Sequence, residues 1–114
     1  MRSPAVAGMF YPDVPALLRD EVDRLLGAVA PGRAGGASLP RALIAPHAGY
    51  IYSGPVAACA FARLAGAGGR FGRVVVIGPS HHVAFRGIAA PRAAAFRTPL
   101  GEVPVERAAT AGLP

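Results

Sequence analysis

The run Arg73 to His82, RVVVIGPSHH, carries four consecutive β-favouring apolar residues, stops at Gly78-Pro79 and at once delivers Ser80, His81 and His82. A second stretch, Arg41 to Tyr50 (RALIAPHAGY), has the same form, an apolar run ending at Pro46-His47. Between them lies Pro55 to Ala65, an alanine-rich segment with Val56, Phe61 and Leu64, small enough on its surface to lie close against a sheet. Strand, helix, strand predicts a right-handed crossover with Ala42–Ala45 and Arg73–Ile77 parallel. The expected fold class is therefore α/β, a parallel-containing sheet flanked by helices.

Outward from that unit, Val14, Leu17, Leu18, Val22, Leu25, Leu26 and Val29 recur at three- and four-residue spacing and form one stripe of a helix. Asp13 is a suitable N-cap, Pro15 falls in the first turn, and Pro31-Gly32 ends the helix ahead of a Gly35–Ser38 link. Residues 1–12, with the Phe10-Tyr11-Pro12 triplet, read as an extended lead-in whose aromatic pair packs on the domain. The loop 47–54 precedes a helix start at Ser53 or Gly54, and Gly66, Gly68 and Gly69 terminate that helix. Beyond His82, Gly87–Ala90 reads as a third short strand, Thr98-Pro99-Leu100-Gly101 as a turn between extended pieces, and Glu106 onward as the opening of another helix.

Composition narrows the class. Of 114 residues 53% are apolar and 16% charged, which excludes a disordered segment or a coiled coil. The net charge of +6 rests entirely on arginine, with no lysine, and the arginines are scattered rather than clustered or interleaved with stacking aromatics. Nucleic acid is therefore not the expected partner. The single cysteine, Cys59, forms no internal disulfide; no secretory leader and no membrane-length apolar run are present, so a cytoplasmic protein with no membrane partner is expected.

In an open parallel sheet, ligands bind beyond the carboxyl ends of the strands. All three histidines follow the two predicted strands by a few residues, so His47 and His81 or His82 open into one crevice. Imidazole is the commonest metal ligand and the usual acid or base near neutral pH. The plain alternative is that each histidine caps a strand or bonds its own loop. Adjacent side chains in an extended segment point to opposite sides, so only one of His81 and His82 joins His47 at an ion, leaving the other as an acid, a base or a hydrogen-bond donor to a ligand. Tyr50, Tyr52 and Ser53 offer hydroxyls to orient a substrate or water, or simply pack over the helix start. Other candidate ligands (Asp13, Asp20, Asp23, Glu102, Glu106, Cys59) read better as caps, solvated charges or a core thiol. No G-x-S-x-G elbow and no phosphate loop occurs.

The combination of Ala5-Val6-Ala7-Gly8 with Phe10-Tyr11-Pro12, Ile44–Tyr50 (IAPHAGY) with Tyr52-Ser53-Gly54, Ile77–His82 (IGPSHH) and Thr98–Gly101 resembles the Memo family. Bacterial and archaeal members of that family also go by the name AmmeMemoRadiSam system protein B. The resemblance implies a fold similar to class III extradiol dioxygenases, non-haem iron enzymes that open catechol-type rings with molecular oxygen. It implies His47 and His81 as metal ligands, with iron or copper as cofactor and His82 as a neighbour of the site; the residues themselves offer His82 and Tyr50 as the catalytic groups. The family's remaining site residues, a cysteine, an aspartate and a histidine, fall in a C-terminal half absent here, and Cys59 does not match that cysteine's motif. Residues 1–114 would then be the N-terminal part of a single, truncated Memo-like domain. The implied function is a metal-binding, dioxygenase-like redox protein. The alternatives are a non-catalytic module that takes a peptide or small ligand through the histidines, tyrosines and Arg86, and an inactive fragment. Animal relatives are discussed as adaptors for phosphotyrosine peptides. Oligomeric state is not readable from the sequence.

Overall fold

The computed structural model describes residues 1–30 and 39–110. Its first element is helix α1, Pro15–Gly27, on the segment where apolar spacing predicts it. The N-cap is Val14, not Asp13, and it makes no side-chain capping bond; Pro15 at the first helical position supplies the preset φ instead. Of the apolar stripe, Leu18 and Leu25 are buried at 4% and 6% exposure. The opposite face carries Glu21 and Arg24 in a two-pronged ion pair at 2.7 and 2.8 Å. The predicted Pro31-Gly32 stop and the 35–38 link lie outside the described residues.

Helix α2, Tyr50–Phe61, begins several residues before the predicted start, and Pro55 falls inside it. Proline there forfeits one backbone bond, and what outweighs that loss is anchoring of the first turn. The Tyr50 N–H donates to the Phe10 carbonyl at 2.8 Å, and the N–H groups of Tyr52 and Ser53 donate to the Gly49 carbonyl. The Ser53 hydroxyl donates to the Ala48 carbonyl at 2.8 Å. A 3-10 turn, Ala62–Leu64, extends the helix, and Gly66 ends it in the left-handed region at φ 74°, as its glycines predict.

α1 packs on α2, and this contact is the core: Leu18, Leu25, Ala58, Ala62 and Ala67 are its buried apolar residues. Gly54 is the close point. A Cβ there would stand 2.9 Å from Leu25 Cδ1, so any larger residue would have to push the Leu25 side chain aside. The lead-in is not simply extended: the N–H groups of Met9 and Phe10 donate to the Val6 carbonyl and that of Gly8 to the Tyr11 carbonyl, a turn made possible by Gly8 at φ 80°.

The sheet differs from expectation. Among the described residues it consists of one antiparallel pair, β1 (Ala95–Thr98) and β2 (Gly101–Pro104), closed by the predicted turn at Pro99-Leu100. Gly101 at φ 136° and the Thr98 hydroxyl, which donates to the Gly101 carbonyl at 3.0 Å, hold that turn. Arg2 pairs in parallel with Phe96. Helix α3, Arg107–Thr110, follows where Glu106 was expected to open one. The runs Ala42–Ala45, Arg73–Ile77 and Gly87–Ala90 join no ladder among the described residues, so the expected parallel crossover is not seen there. A strand is defined by hydrogen bonds to its neighbours, and none of the described segments supplies them. The apolar side chains of these runs accordingly face water: Ile44 is 98% exposed, Val76 89% and Ile77 90%.

Candidate metal centre

Each histidine is placed by a local device close in sequence. His47 lies two residues before the α2 N-cap Gly49, and the Ala48 carbonyl beside it is held by the Ser53 hydroxyl. Gly49 itself is buried where the lead-in crosses; a Cβ on it would stand 3.4 Å from the Phe10 backbone. The P-H-A-G-Y segment is therefore clamped between the lead-in and the first turn of α2. His81 sits in a small turn closed by Ser80, whose hydroxyl donates to the Val83 carbonyl at 2.6 Å and accepts the Val83 N–H at 3.3 Å. Ser80 is thus a loop clasp, consistent with the absence of a nucleophile elbow.

The two devices bring His47 and His81 together. Their Nε2 atoms are 3.0 Å apart and their ring centroids 5.2 Å apart at an interplanar angle of 46°. As a hydrogen bond, this contact requires one ring to carry its proton on Nε2 and the other to accept. Residues 34 apart in sequence thus meet through their Nε2 atoms, although the sheet expected to align them is not seen among the described residues. Both rings are exposed, so a ligand reaches them without displacing other side chains.

Tyr50 and His47 share the wall of a cleft of about 510 Å³ between α1, α2 and the lead-in, with Phe10, Tyr11, Leu25 and Phe61 also on its walls. Burial, and then the neighbouring Tyr11, push the Tyr50 phenol above its ordinary value. The Tyr11 ring lies 5.8 Å away, so the predicted packing of the lead-in aromatics is realised through that residue. His82 is exposed and is not joined to His47 by any hydrogen bond among the described residues. Tyr52 stands 82% exposed beside the cleft's helix rather than in it. Ser53 is committed to Ala48.

Three of the remaining polar candidates are engaged elsewhere. Glu106 holds Arg73 with two bonds of 2.6 and 2.7 Å, Glu102 holds Arg97 at 3.3 Å, and the Cys59 thiol donates to the Pro55 carbonyl at 3.4 Å. Among the described residues no group of three or more His, Cys, Asp or Glu is placed to surround an ion. No helix among them is long and apolar enough to cross a membrane. What sequence reasoning missed are Gly49 and the Phe10 carbonyl, which clamp the histidine loop. The available signal was the aromatic triplet placed shortly before a helix whose start lacks a side-chain cap.

Compared with known proteins, residues 2–114 match the family described as Memo-like protein. A MEMO1 family protein of Methanothermobacter thermautotrophicus is 40% identical over 110 residues, covering 93% of this chain and 39% of its own length. One from Thermotoga petrophila is 40% identical over 122 residues (95% and 41%), and one from Pyrobaculum arsenaticum 39% identical over 112 residues (93% and 39%). The chain spans about two-fifths of the length of these curated relatives. No solved structure gives a significant match.

Proposed function

Since this chain belongs to the Memo-like protein family, we propose that His47 and His81 form the protein's corner of a metal-dependent, dioxygenase-like redox site that takes non-haem iron or copper. The observation that carries this reading is the convergence of the two Nε2 atoms at 3.0 Å. His47 and His81 would hold the ion through these two nitrogens, once the proton that one of them carries in the hydrogen bond is released. Two neutral imidazoles are borderline donors that serve iron and copper alike. They leave the other coordination positions to water, oxygen, substrate or further ligands. Such an ion, when bound, would supply Lewis-acid and one-electron chemistry toward oxygen.

This chain's own residues would do the remainder. Gly49, Ser53 and Phe10 fix the backbone immediately after His47. Tyr50, whose phenol burial keeps protonated, stands on the cleft wall shared with His47 and would donate a hydrogen bond to a substrate seated there. His82, exposed beside His81, is the group free to exchange protons with water. In this reading the runs 42–45 and 73–77 are strands of a parallel-containing sheet like that of class III extradiol dioxygenases, and residues 1–114 are the N-terminal part of a single domain.

The test is metal loading. The 114-residue chain, titrated anaerobically with Fe(II) and separately with Cu(II), should bind one ion per chain by elemental analysis after gel filtration. His47→Ala and His81→Ala should each weaken binding by about tenfold or more. Equal metal retention by both variants would sink the proposal. A second reading rests on the cleft, whose volume lies within the roughly 300–1,000 Å³ of small-ligand pockets: a binding module without catalysis. It predicts ligand uptake unaffected by chelator, whereas the metal reading predicts uptake that chelation abolishes.

A further inference from the structure

We propose that Ser80 is the positioning residue of the histidine pair: its hydroxyl closes the turn 80–83 and thereby selects His81, rather than the adjacent His82, to face His47. The two histidines are the central residues of that turn. No backbone–backbone hydrogen bond is made anywhere in 71–93 among the described residues, so the first-to-fourth bond that closes many tight turns is missing here. The Ser80 hydroxyl stands in for it twice, donating to the Val83 carbonyl at 2.6 Å and accepting the Val83 N–H at 3.3 Å.

Which histidine faces inward therefore follows from the turn. Side chains of adjacent residues leave the backbone in different directions, so a turn held at its two ends sends one imidazole toward His47 and the other into water. The structure shows that division: His81 Nε2 lies 3.0 Å from His47 Nε2, while His82 is exposed and makes no hydrogen bond to His47. Without the hydroxyl the four residues lose the two bonds that keep Ser80 and Val83 together, and rotation of the 80–83 backbone brings either ring forward. No described residue other than glycine has a positive φ, so alanine and threonine both fit at position 80 without backbone strain. Ser80→Ala thus removes the hydroxyl and little else. The effect on the ring pair stands on this geometry alone; its consequence for an ion rests on the reading of His47 and His81 as ligands.

Nuclear Overhauser contacts between imidazole ring protons, measured on the full 114-residue chain without metal, test it. The parent chain should show cross-peaks between His47 and His81; Ser80→Ala should lose them, and Ser80→Thr, which restores the hydroxyl, should regain them. Ser80 lies outside the α1–α2 core, so all three proteins should share one helical circular dichroism spectrum and melt. Titrated next with Fe(II), Ser80→Ala should bind about two- to tenfold more weakly than the parent, and Ser80→Thr within about twofold of it, the range that loss of one or two exposed hydrogen bonds gives. Absence of the cross-peaks in the parent, their persistence at parent strength in Ser80→Ala, or their loss in Ser80→Thr would each overturn the proposal. An Fe(II) affinity of Ser80→Ala equal to the parent's would overturn its extension to the ion. A parent chain that shows the cross-peaks and binds no iron would instead sink the metal reading and leave the positioning role standing.

Discussion

The α1–α2 pair and the segment 71–90 draw on the same kinds of residue and end in opposite states. In the first, Leu18 and Leu25 are covered by the alanines of α2, and glycine at 54 lets the helices touch. In the second, Val74 to Ile77 are more apolar than anything in α1, yet every residue from 71 to 90 is exposed. Hydrophobicity is thus not what decides burial here. A helix satisfies its own backbone and needs one partner face; a strand needs a neighbour on each edge and a cover on each face before its side chains leave water. His47 belongs to the first region and His81 to the second, so the candidate centre joins a packed half to an open one.

The largest expected effect breaks this contrast directly. Leu25→Ala should cost about 2–3 kcal/mol, toward the low end for core leucines because the core is small, and should broaden or abolish the thermal transition of the helices. Val76→Ala, an equally apolar truncation in the open region, should move the same transition by less than about 0.5 kcal/mol. Comparable losses from the two variants would mean that 71–90 is buried in solution.

A middle-sized effect concerns what fastens the open region. Among the described residues, its leading end is fastened by the Arg73–Glu106 pair, with two charge-assisted bonds but side chains 63% and 49% exposed. Its solvent exposure limits it to below about 1 kcal/mol. Glu106→Gln should therefore leave the α1–α2 melt unchanged and speed amide exchange in β2 and α3, an effect that added salt reproduces in the parent chain. A shift in the helix melt would show that the two regions are coupled.

The same contrast explains what the sequence disclosed. α1 was legible because a 3.6-residue stripe is a property of the segment alone, and the hairpin turn because Thr98, Pro99 and Gly101 carry local backbone preferences. The start of α2 was not, since Pro55 points to a later start and only the Phe10 carbonyl and Ser53, which are tertiary contacts, override it. The parallel sheet was read from apolar runs that do exist, but pairing is non-local and these runs have no partners among the described residues. His47 and His81 were expected together from the ends of parallel strands; they meet without that sheet, on segments held by short turns beside them, Gly49–Ser53 and Ser80–Val83.

The smallest expected effect sharpens the packed side at its boundary with the centre. Burial, and then Tyr11, raise the Tyr50 phenol above its ordinary value of about 10. The unfolded chain therefore releases this proton before the folded chain does, so folding binds more protons and stability falls as pH rises. The contribution is fully present below the ordinary tyrosine value and is lost as pH climbs through the raised one. Tyr50→Phe has no such proton to lose. Between neutral pH and the alkaline limit the parent chain's helix melt should fall further than that of Tyr50→Phe, while the two run parallel below about pH 9. Tyrosinate absorbance followed in parallel should show the difference between the two proteins appearing late in the titration. If the difference spectrum instead titrated at the value of a free phenol, Tyr50 would be in water, and the cleft wall it shares with His47 would be open rather than packed.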